Sequence, residues 1–186
     1  MAENRGKRFE GVIKEAFEKV QGVSIDRLHD QTTGYAGSSN ICDYIVYREP
    51  YEYYFECKSV HGNTLSIHSN DEKHKYGNIT NKQWEGLLEK AKIQGVFAGI
   101  ICWWADKDIT LFIPIQLLQW LREREYKSVR YNCDWNVGIP NEKPFTFKTI
   151  YRCIEIKGKK KRVFYDYDME GFLNELSTTG NTKRTN

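Results

Sequence analysis

Residues 96 to 105 form an uninterrupted apolar run, the longest in the chain. The run is about half of the roughly 20 residues that a membrane-spanning helix requires, so it predicts a buried β-strand from Val96 to Trp103. A strand that is apolar at every position has to be covered on both of its faces. This run therefore predicts a layered α/β fold, in which helices pack on both sides of a central sheet.

The other elements are assigned from apolar periodicity, turn residues and helix caps. The first half of the chain is predicted to hold a helix over 9–20 that Gly22 ends, a strand within 23–30 and a loop over 31–40. A hairpin follows, with strands 41–47 and 51–59 on either side of Arg48, Glu49 and Pro50. After a polar loop over 61–77 come a helix from its Thr80 cap to about Gln94 that Gly95 ends, the strand from Val96, a strand over 109–113 and a helix that begins at Pro114. This αβββαββα-like order predicts a central mixed β-sheet flanked by helices.

Composition and cysteine usage indicate a folded protein of the cytoplasm. The 186 residues are 40% hydrophobic, which is enough to bury the core of one domain. The net charge of +3 is too small to indicate a nucleic-acid-binding protein by itself. The five cysteines are widely spaced and never form a C-x-x-C pair, and the N-terminal sequence does not resemble a signal peptide. We therefore expect a reducing, cytoplasmic environment and no membrane contact.

The predicted hairpin brings three charged side chains together. If its turn is centred between Glu49 and Pro50, Asp43 lies opposite Glu56. Side chains alternate along a strand, so Glu56 and Lys58 share one face, and that face also carries Asp43. Two carboxylates and one ammonium group are therefore expected on one patch of the sheet.

This set of side chains suits the hydrolysis of a phosphodiester. Mg²⁺ prefers carboxylate and carbonyl oxygens, which Asp43, Glu56 and the backbone carbonyl of Cys57 can provide. A bound Mg²⁺ neutralises the phosphate and makes a water nucleophilic, while the Lys58 ammonium can orient that water or stabilise the transition state. We therefore predict a magnesium-dependent DNA endonuclease of the PD-(D/E)xK class with a restriction-endonuclease-like core, in which Mn²⁺ can substitute for Mg²⁺.

A second match to the Glu-x-Lys pattern, Glu155-Ile156-Lys157 preceded by Asp134, shows that the pattern alone has low specificity. Asp134 lies in an irregular stretch, and the strand of Glu155 leads directly into an exposed basic turn. We assign this copy to a solvated hairpin. The first copy is assigned to the site, because the hairpin symmetry and the Thr80-capped helix support it.

Beyond these residues, the sequence resembles RecU-type Holliday-junction resolvases, in order along about 4–121. The matching pieces are Asn4-Arg5-Gly6 with Glu10, Gly37-Ser38-Ser39 leading to Cys42-Asp43-Tyr44, Phe55-Glu56-Cys57-Lys58, and Gln83 near the start of the next helix. The resemblance implies a homodimer that places two magnesium sites across a four-way DNA junction and nicks two opposed strands. In this resemblance, Asp43 and Glu56 bind the metal and Lys58 acts on the nucleophile. Gln83 lies at the edge of the site, and Glu10 is an accessory carboxylate. Arg5 and Lys7 contact phosphates.

Two features depart from the pattern of bacterial family members. Ile41 and Cys42 occupy positions where those members carry a Thr pair, so a hydroxyl contact to metal or water is absent. The segment 23–40 is also too short for the stalk that they insert before the metal-binding Asp. These departures point to a divergent relative in a bacterial cell, host- or phage-encoded, and weaken the junction assignment more than the nuclease assignment.

We divide the chain into a nuclease core over 1–124, a C-terminal extension over 125–176 that packs on the core, and a disordered tail over 177–186. The extension is expected to hold a hairpin over 149–167, turning at 158–162, and a short helix near 169–176. The candidates for DNA contact are Arg5, Lys7, Lys73, Lys75, Lys159, Lys160, Lys161 and Arg162. The basic turn either replaces the stalk or is a solvated charge run, which is the usual state of such a run.

Plainer interpretations stay open for several residues. Gln83 follows Thr80 by three positions, so it is also expected as the distal partner of a capping box, and Glu10 can simply pair with Lys14. The four histidines show no metal-ligand spacing, and the aromatic residues of the strands are expected in the core. For the whole chain, the alternatives are a nuclease of the same fold that cuts duplex, flap or single-stranded DNA, and a non-catalytic DNA-binding protein. No small-molecule cofactor is expected.

Overall fold

Four helices and ten strands lie in the described part of the chain. The computed structural model describes residues 5–28, 40–72, 75–131, 152–162 and 165–181. The elements are α1 (Arg5–Phe17), β1 (Ser24–Arg27), β2 (Tyr44–Arg48), β3 (Tyr51–Val60), β4 (Thr64–Ser66), α2 (Asn81–Ala91), β5 (Val96–Trp104), β6 (Ile109–Pro114), α3 (Ile115–Arg122), β7 (Ser128–Arg130), β8 (Ile154–Glu155), β9 (Gly158–Lys160), β10 (Tyr165–Tyr167) and α4 (Met169–Asn181).

Six of the strands form one mixed sheet in the order β1-β2-β3-β5-β6-β8. β3 and β5 are parallel, and every other neighbouring pair in this sheet is antiparallel. A parallel pair needs a crossover connection, and α2 lies in that connection. The expected α/β class, with a central mixed sheet flanked by helices, is confirmed.

The central strand β5 is covered on both faces, as its unbroken apolar sequence predicts. Residues 98 to 104 are all buried. Ile101 and Trp103 belong to a core that also contains residues of α1 and α4. Ile100 and Cys102 belong to a second core, which contains residues of α2 and α3. The sheet therefore separates two apolar layers, and its central strands contribute alternate residues to each.

The hairpin of β2 and β3 has the predicted register. Tyr44 lies opposite Phe55, and Arg48 lies opposite Tyr51, so the turn is centred between Glu49 and Pro50. Asp43 immediately precedes the first residue of β2. The ladder ends at the pair of Tyr44 and Phe55, and the Asp43 N–H donates to the carbonyl of Phe55. Asp43 therefore lies at the end of the ladder, and the predicted pairing with Glu56 is not formed.

The C-terminal hairpin differs from its prediction in its turn and in its partners. Lys160 of β9 lies opposite Tyr165 of β10, so the turn follows Lys160, and the predicted turn over 158–162 is wrong. β8, which was predicted as part of this hairpin, does not pair with β10. It pairs with β6 at the edge of the main sheet. Ile154 and Ile156 are buried there. This burial in the main sheet outweighs the local pattern from which one long hairpin was predicted.

Helix α4 is longer than its apolar pattern indicates. It extends to Asn181, so residues 177–181, which were expected in a disordered tail, are helical. Residues 182–186 lie outside the described residues. Apolar side chains of α4 are buried in the same core as those of α1. The division of the chain at residue 124 stays a prediction.

The segment 61–77, predicted as a polar loop, contains a short strand. β4 pairs with β7, and Leu65 lies opposite Val129. Leu65 and Ile67 are fully buried. Two alternating apolar residues in a polar sequence are too short a pattern to indicate a strand before the partner strand is known.

Several expectations concern residues outside the described ranges. They fall on the loop over 31–39, Asn4, His29, Gly37-Ser38-Ser39, Lys73, His74 and Asp134. Within the described ranges, no helix has both the length and the apolar character needed to cross a membrane.

Phe55→Ala is expected to lower the free energy of unfolding by about 3–5 kcal/mol. Phe55 is fully buried, and its ring packs against those of Phe17, Phe112 and Phe172, so its truncation leaves a cavity where α1, β6 and α4 meet. Denaturant-induced unfolding measures the change. Ile93→Ala is the control, because Ile93 is 53% exposed and its truncation should change the free energy by about 0.5 kcal/mol or less. Equal effects of the two substitutions would contradict this packing.

Candidate active site

Asp43 is held by the strand opposite to it. Its Oδ2 accepts a hydrogen bond from the backbone N–H of Cys57 at 2.7 Å, and its own N–H donates to the carbonyl of Phe55 at 3.1 Å. The side chain thus takes the place of a backbone acceptor where the β2–β3 ladder ends. In a strand, the N–H and the C=O of one residue point to the same side. The carbonyl of Cys57 is therefore directed to the side of β3 on which Asp43 lies.

Glu56 is an acidic residue with only 2% exposure. Its Oε1 accepts two hydrogen bonds of 2.6 Å, one from Lys58 Nζ and one from Gln83 Nε2. Its Oε2 is buried and has no hydrogen-bond partner among the described residues. A buried polar oxygen without a partner is unfavourable, so Oε2 is a natural contact for a bound cation.

Gln83 connects the first turn of α2 to Glu56. Thr80 Oγ1 accepts from the Gln83 N–H at 3.2 Å, and Gln83 Oε1 accepts from the Thr80 N–H at 3.0 Å. This is a complete capping box, as the spacing predicts. Gln83 Oε1 also lies 3.4 Å from Lys58 Nζ. The capping role and a place at the edge of the site therefore coexist in one side chain.

Burial raises the pKa of both carboxyl groups. The pKa of Glu56 rises to about 8, chiefly because desolvation disfavours its charged form; the charge of Lys58 opposes this rise and that of Asp43 adds to it. Burial also raises the pKa of Asp43, against the hydrogen bond from Cys57, the charge of Lys58 and a side-chain interaction with Glu56. A cation between two such groups would favour the charged form of each.

Glu10 lies on α1 and forms an ion pair that was not predicted. Its Oε2 accepts from Arg27 Nη2 at 2.8 Å, whereas Lys14 pairs with Glu18. The plainer interpretation, a pair of Glu10 with Lys14, receives no support from these contacts. The charge of Glu10 contributes to raising the pKa of Glu56, so it acts electrostatically on the site. No local signal indicates Arg27 as its partner, because β1 and α1 meet only in the folded chain.

The donor set fits a hard divalent cation. Within the described ranges, no group of three or more His, Cys, Asp or Glu side chains converges on a metal position. Mg²⁺ needs only one or two carboxylates and keeps several waters. The buried Oε2 of Glu56, the adjacent Asp43 and the nearby Cys57 carbonyl meet that requirement.

Apolar packing occupies positions 41 and 42, where bacterial RecU-type resolvases, which the sequence resembles, carry a Thr pair. A Cβ added at Gly86 of α2 would lie 2.5 Å from Cγ2 of Ile41, so Ile41 packs directly against that helix. Cys42 is buried, and its Sγ lies 3.4 Å from the carbonyl oxygen of Tyr44. Burial is the largest cause that raises the pKa of this thiol to about 12. Both residues therefore anchor the segment that leads to Asp43 and β2.

The basic residues predicted to contact DNA are distributed over several surfaces. Arg5 lies 3.2 Å from His61, measured from Nη1 to Nε2, and His61 contacts Asp106. Arg5 is exposed, as are Lys7, Lys159, Lys160, Lys161 and Arg162. Lys75 pairs with Glu85 at 3.1 Å and Lys160 pairs with Asp108. DNA contact by any of them stays a prediction.

Comparisons with known proteins give distant likenesses to solved structures alone. No family model and no curated protein matches the chain. Among solved structures, it is similar to Hjc, a Holliday junction resolvase from the archaeal hyperthermophile Archaeoglobus fulgidus, with 18% sequence identity and a TM-score of 0.39. The match covers 61% of this chain and 78% of that chain. At this level of similarity, it carries no conclusion about activity.

Without divalent metal, the protein should lose stability as the pH rises, and Glu56→Gln should remove much of that loss. The pKa of Glu56 in the folded protein lies well above the ordinary value of 4.5, so the folded state holds more protons than the unfolded state. This contribution is complete below about pH 4.5 and is lost as the pH rises through about 8. Thermal unfolding in EDTA, from about pH 4 to pH 9, measures it. The same pH dependence in both proteins would mean that the acid at 56 is not buried as described.

Proposed function

We propose that this protein is a magnesium-dependent, structure-specific DNA endonuclease that resolves Holliday junctions by paired symmetric nicks. The observation that supports nuclease activity is the buried Oε2 of Glu56, which has no hydrogen-bond partner among the described residues. This oxygen belongs to the patch formed with Asp43 and Lys58. The choice of the four-way junction rests on the ordered sequence resemblance over about 4–121. The proposed location is the cytoplasm of a bacterial cell.

Asp43, Glu56 and the backbone carbonyl of Cys57 are the groups proposed to hold Mg²⁺. They are hard oxygen ligands, the type that this ion prefers. When bound, the ion neutralises charge on the scissile phosphate and lowers the pKa of a water. Mn²⁺ accepts the same ligands and should substitute. Glu10, whose charge acts on Glu56, is proposed as the accessory carboxylate.

Lys58 is proposed to orient the attacking water and to stabilise negative charge on the phosphate. Its Nζ lies 2.6 Å from Glu56 Oε1, and its side chain keeps 22% exposure, so the ammonium can reach both the carboxylate and a bound substrate. Gln83 restrains this arrangement, because its side chain contacts Glu56 and Lys58 while the helix cap fixes its backbone. The restraint keeps the donors in place before the substrate binds.

A homodimer is part of the proposal, because two opposed strands of one junction need two sites. Arg5 and Lys7 lie at the start of α1 and are proposed to bind backbone phosphates, as are Lys73 and Lys75 after β4. Phosphate contacts fix the orientation of the nucleic acid and carry no sequence preference. The junction would therefore be recognised by its shape.

Cleavage of a synthetic mobile four-way junction, compared with a linear duplex of matched sequence, tests the proposal. With Mg²⁺, the wild type should make paired symmetric nicks in the junction alone. Asp43→Asn should still bind the junction but cut it about 10²–10³-fold more slowly, because a metal ligand is lost. Asp26→Asn removes a carboxylate from the exposed strand β1 and should cut like the wild type.

The other outcomes select the alternatives. Equal cutting of junction and duplex would contradict the resolvase and leave a nuclease of this fold that acts on duplex, flap or single-stranded DNA. If folded wild-type protein binds DNA and cuts neither substrate, the chain is a non-catalytic DNA-binding protein, and the proposed function is wrong.

A further inference from the structure

A basic cleft lies between α1 and the β9–β10 hairpin, apart from the candidate active site. Its volume is about 470 Å³. Its charged lining consists of four basic side chains and two acidic ones, namely Arg8, Lys19, Lys161, Arg162, Glu15 and Asp166. The cleft is formed by segments from opposite ends of the chain, so only folding brings these charges together.

The acidic residues leave the cleft with an excess of positive charge. Asp166 is shared by two lysines, at 2.5 Å from Lys19 Nζ and at 3.7 Å from Lys161 Nζ. Its hydrogen bond with Lys19 and the charges of both lysines lower its pKa, which keeps the carboxylate charged and both ammonium groups at the wall of the cleft. One anion thus serves two cations, and the two arginines add further positive charge.

Gly11 lines the cleft within α1, and packing inside the chain does not explain it. Glycine in a helix interior is markedly less stable than alanine. Among the described residues, a Cβ added at this position would meet no atom of another element within 4 Å, so these residues leave room for a side chain. A bare helix backbone facing open space is suited to the close approach of a ligand.

The face of α1 that carries Arg5 and Arg8 continues from the cleft toward the candidate active site. Arg5, Arg8, Val12 and Glu15 recur at intervals of three and four residues, so they share one side of the helix. Arg5 contacts His61, which follows Lys58 by three residues, or about 10 Å of strand. α1, from Arg5 to Phe17, is about 20 Å long, and Lys19 in the turn after it lines the cleft. A strand of DNA that is cut beside Lys58 can therefore extend along this face.

We propose that this cleft binds the phosphodiester backbone of the DNA beyond the point of cleavage. Arg8 and Arg162 contact phosphates from the two walls, and Gly11 lets the backbone approach α1. The proposal rests on the proposed endonuclease function and adds to it a DNA contact that α1 and the C-terminal hairpin form together. Lys160 of the same hairpin takes no part, because it does not line the cleft and pairs with Asp108.

The affinity of the metal-free protein for a duplex of about 30 base pairs, measured by fluorescence anisotropy at several salt concentrations, tests the cleft. The Arg8→Gln, Arg162→Gln double variant should raise the Kd roughly tenfold at low salt and lower the salt-dependence slope by about two, one for each phosphate contact. Lys92→Gln is the matched control, because Lys92 is exposed just after the last residue of α2 and should not affect binding. An unchanged Kd and slope in the double variant, or the same loss in the control, would overturn the proposal.

Gly11→Ala separates DNA binding from folding. The variant should unfold at a higher temperature than the wild type, because alanine favours the helix. It should nevertheless bind the duplex more weakly, because the new methyl group occupies the floor of the cleft. Increased stability with unchanged affinity would overturn the approach of DNA to α1.

These measurements are independent of cleavage. If the wild type cuts no DNA but both sets of variants weaken binding, the proposed endonuclease function is wrong and the cleft is still supported as a DNA contact. If the wild type cuts DNA and none of the variants changes the affinity for DNA, the proposed role of the cleft is wrong and the proposed endonuclease function is supported.

Discussion

The burial of the Glu56 carboxylate is the interaction on which the candidate site depends. A buried acidic group is tolerated only where donors or a cation replace its hydration. Lys58 and Gln83 donate to one carboxylate oxygen, and the other oxygen has no partner in the described part of the chain. Burial also separates this site from the second Glu-x-Lys match, because Glu155 is exposed at the edge of the sheet and carries no such constraint.

Strand β3 is both part of the core and the carrier of the site. Tyr53, Phe55 and Cys57 pack in the layer shared with α1 and α4, while Glu56 and Lys58 alternate with them and meet Gln83 of α2. Because the apolar set is closely packed, it fixes the polar set on the opposite face. The parallel pairing with β5 requires a crossover, and the capped first turn of α2 in that crossover brings Gln83 to Glu56.

The parts of the fold that depend on residues close together in the chain were predictable from the sequence. The hairpin register follows from its turn, and the capping box follows from the spacing of Thr80 and Gln83. The Glu10–Arg27 pair, the β4–β7 pair and the joining of β8 to β6 each link separate segments, and no local pattern identifies the partner. The roles of the site residues stay predictions for a different reason, since a pattern indicates which groups meet and not which reaction they perform.

The most direct test of the central claim, that Glu56 Oε2 is a metal contact, is the binding of Mn²⁺ measured by the loss of the free-ion signal in electron paramagnetic resonance. The wild type and Glu56→Gln are compared without DNA, since glutamine keeps the shape of the side chain and removes its charge. The account predicts that the wild type binds Mn²⁺ and that the variant binds it at least about tenfold more weakly, because a charged ligand is lost. Equal binding by both proteins, or no binding by folded wild type, would contradict it.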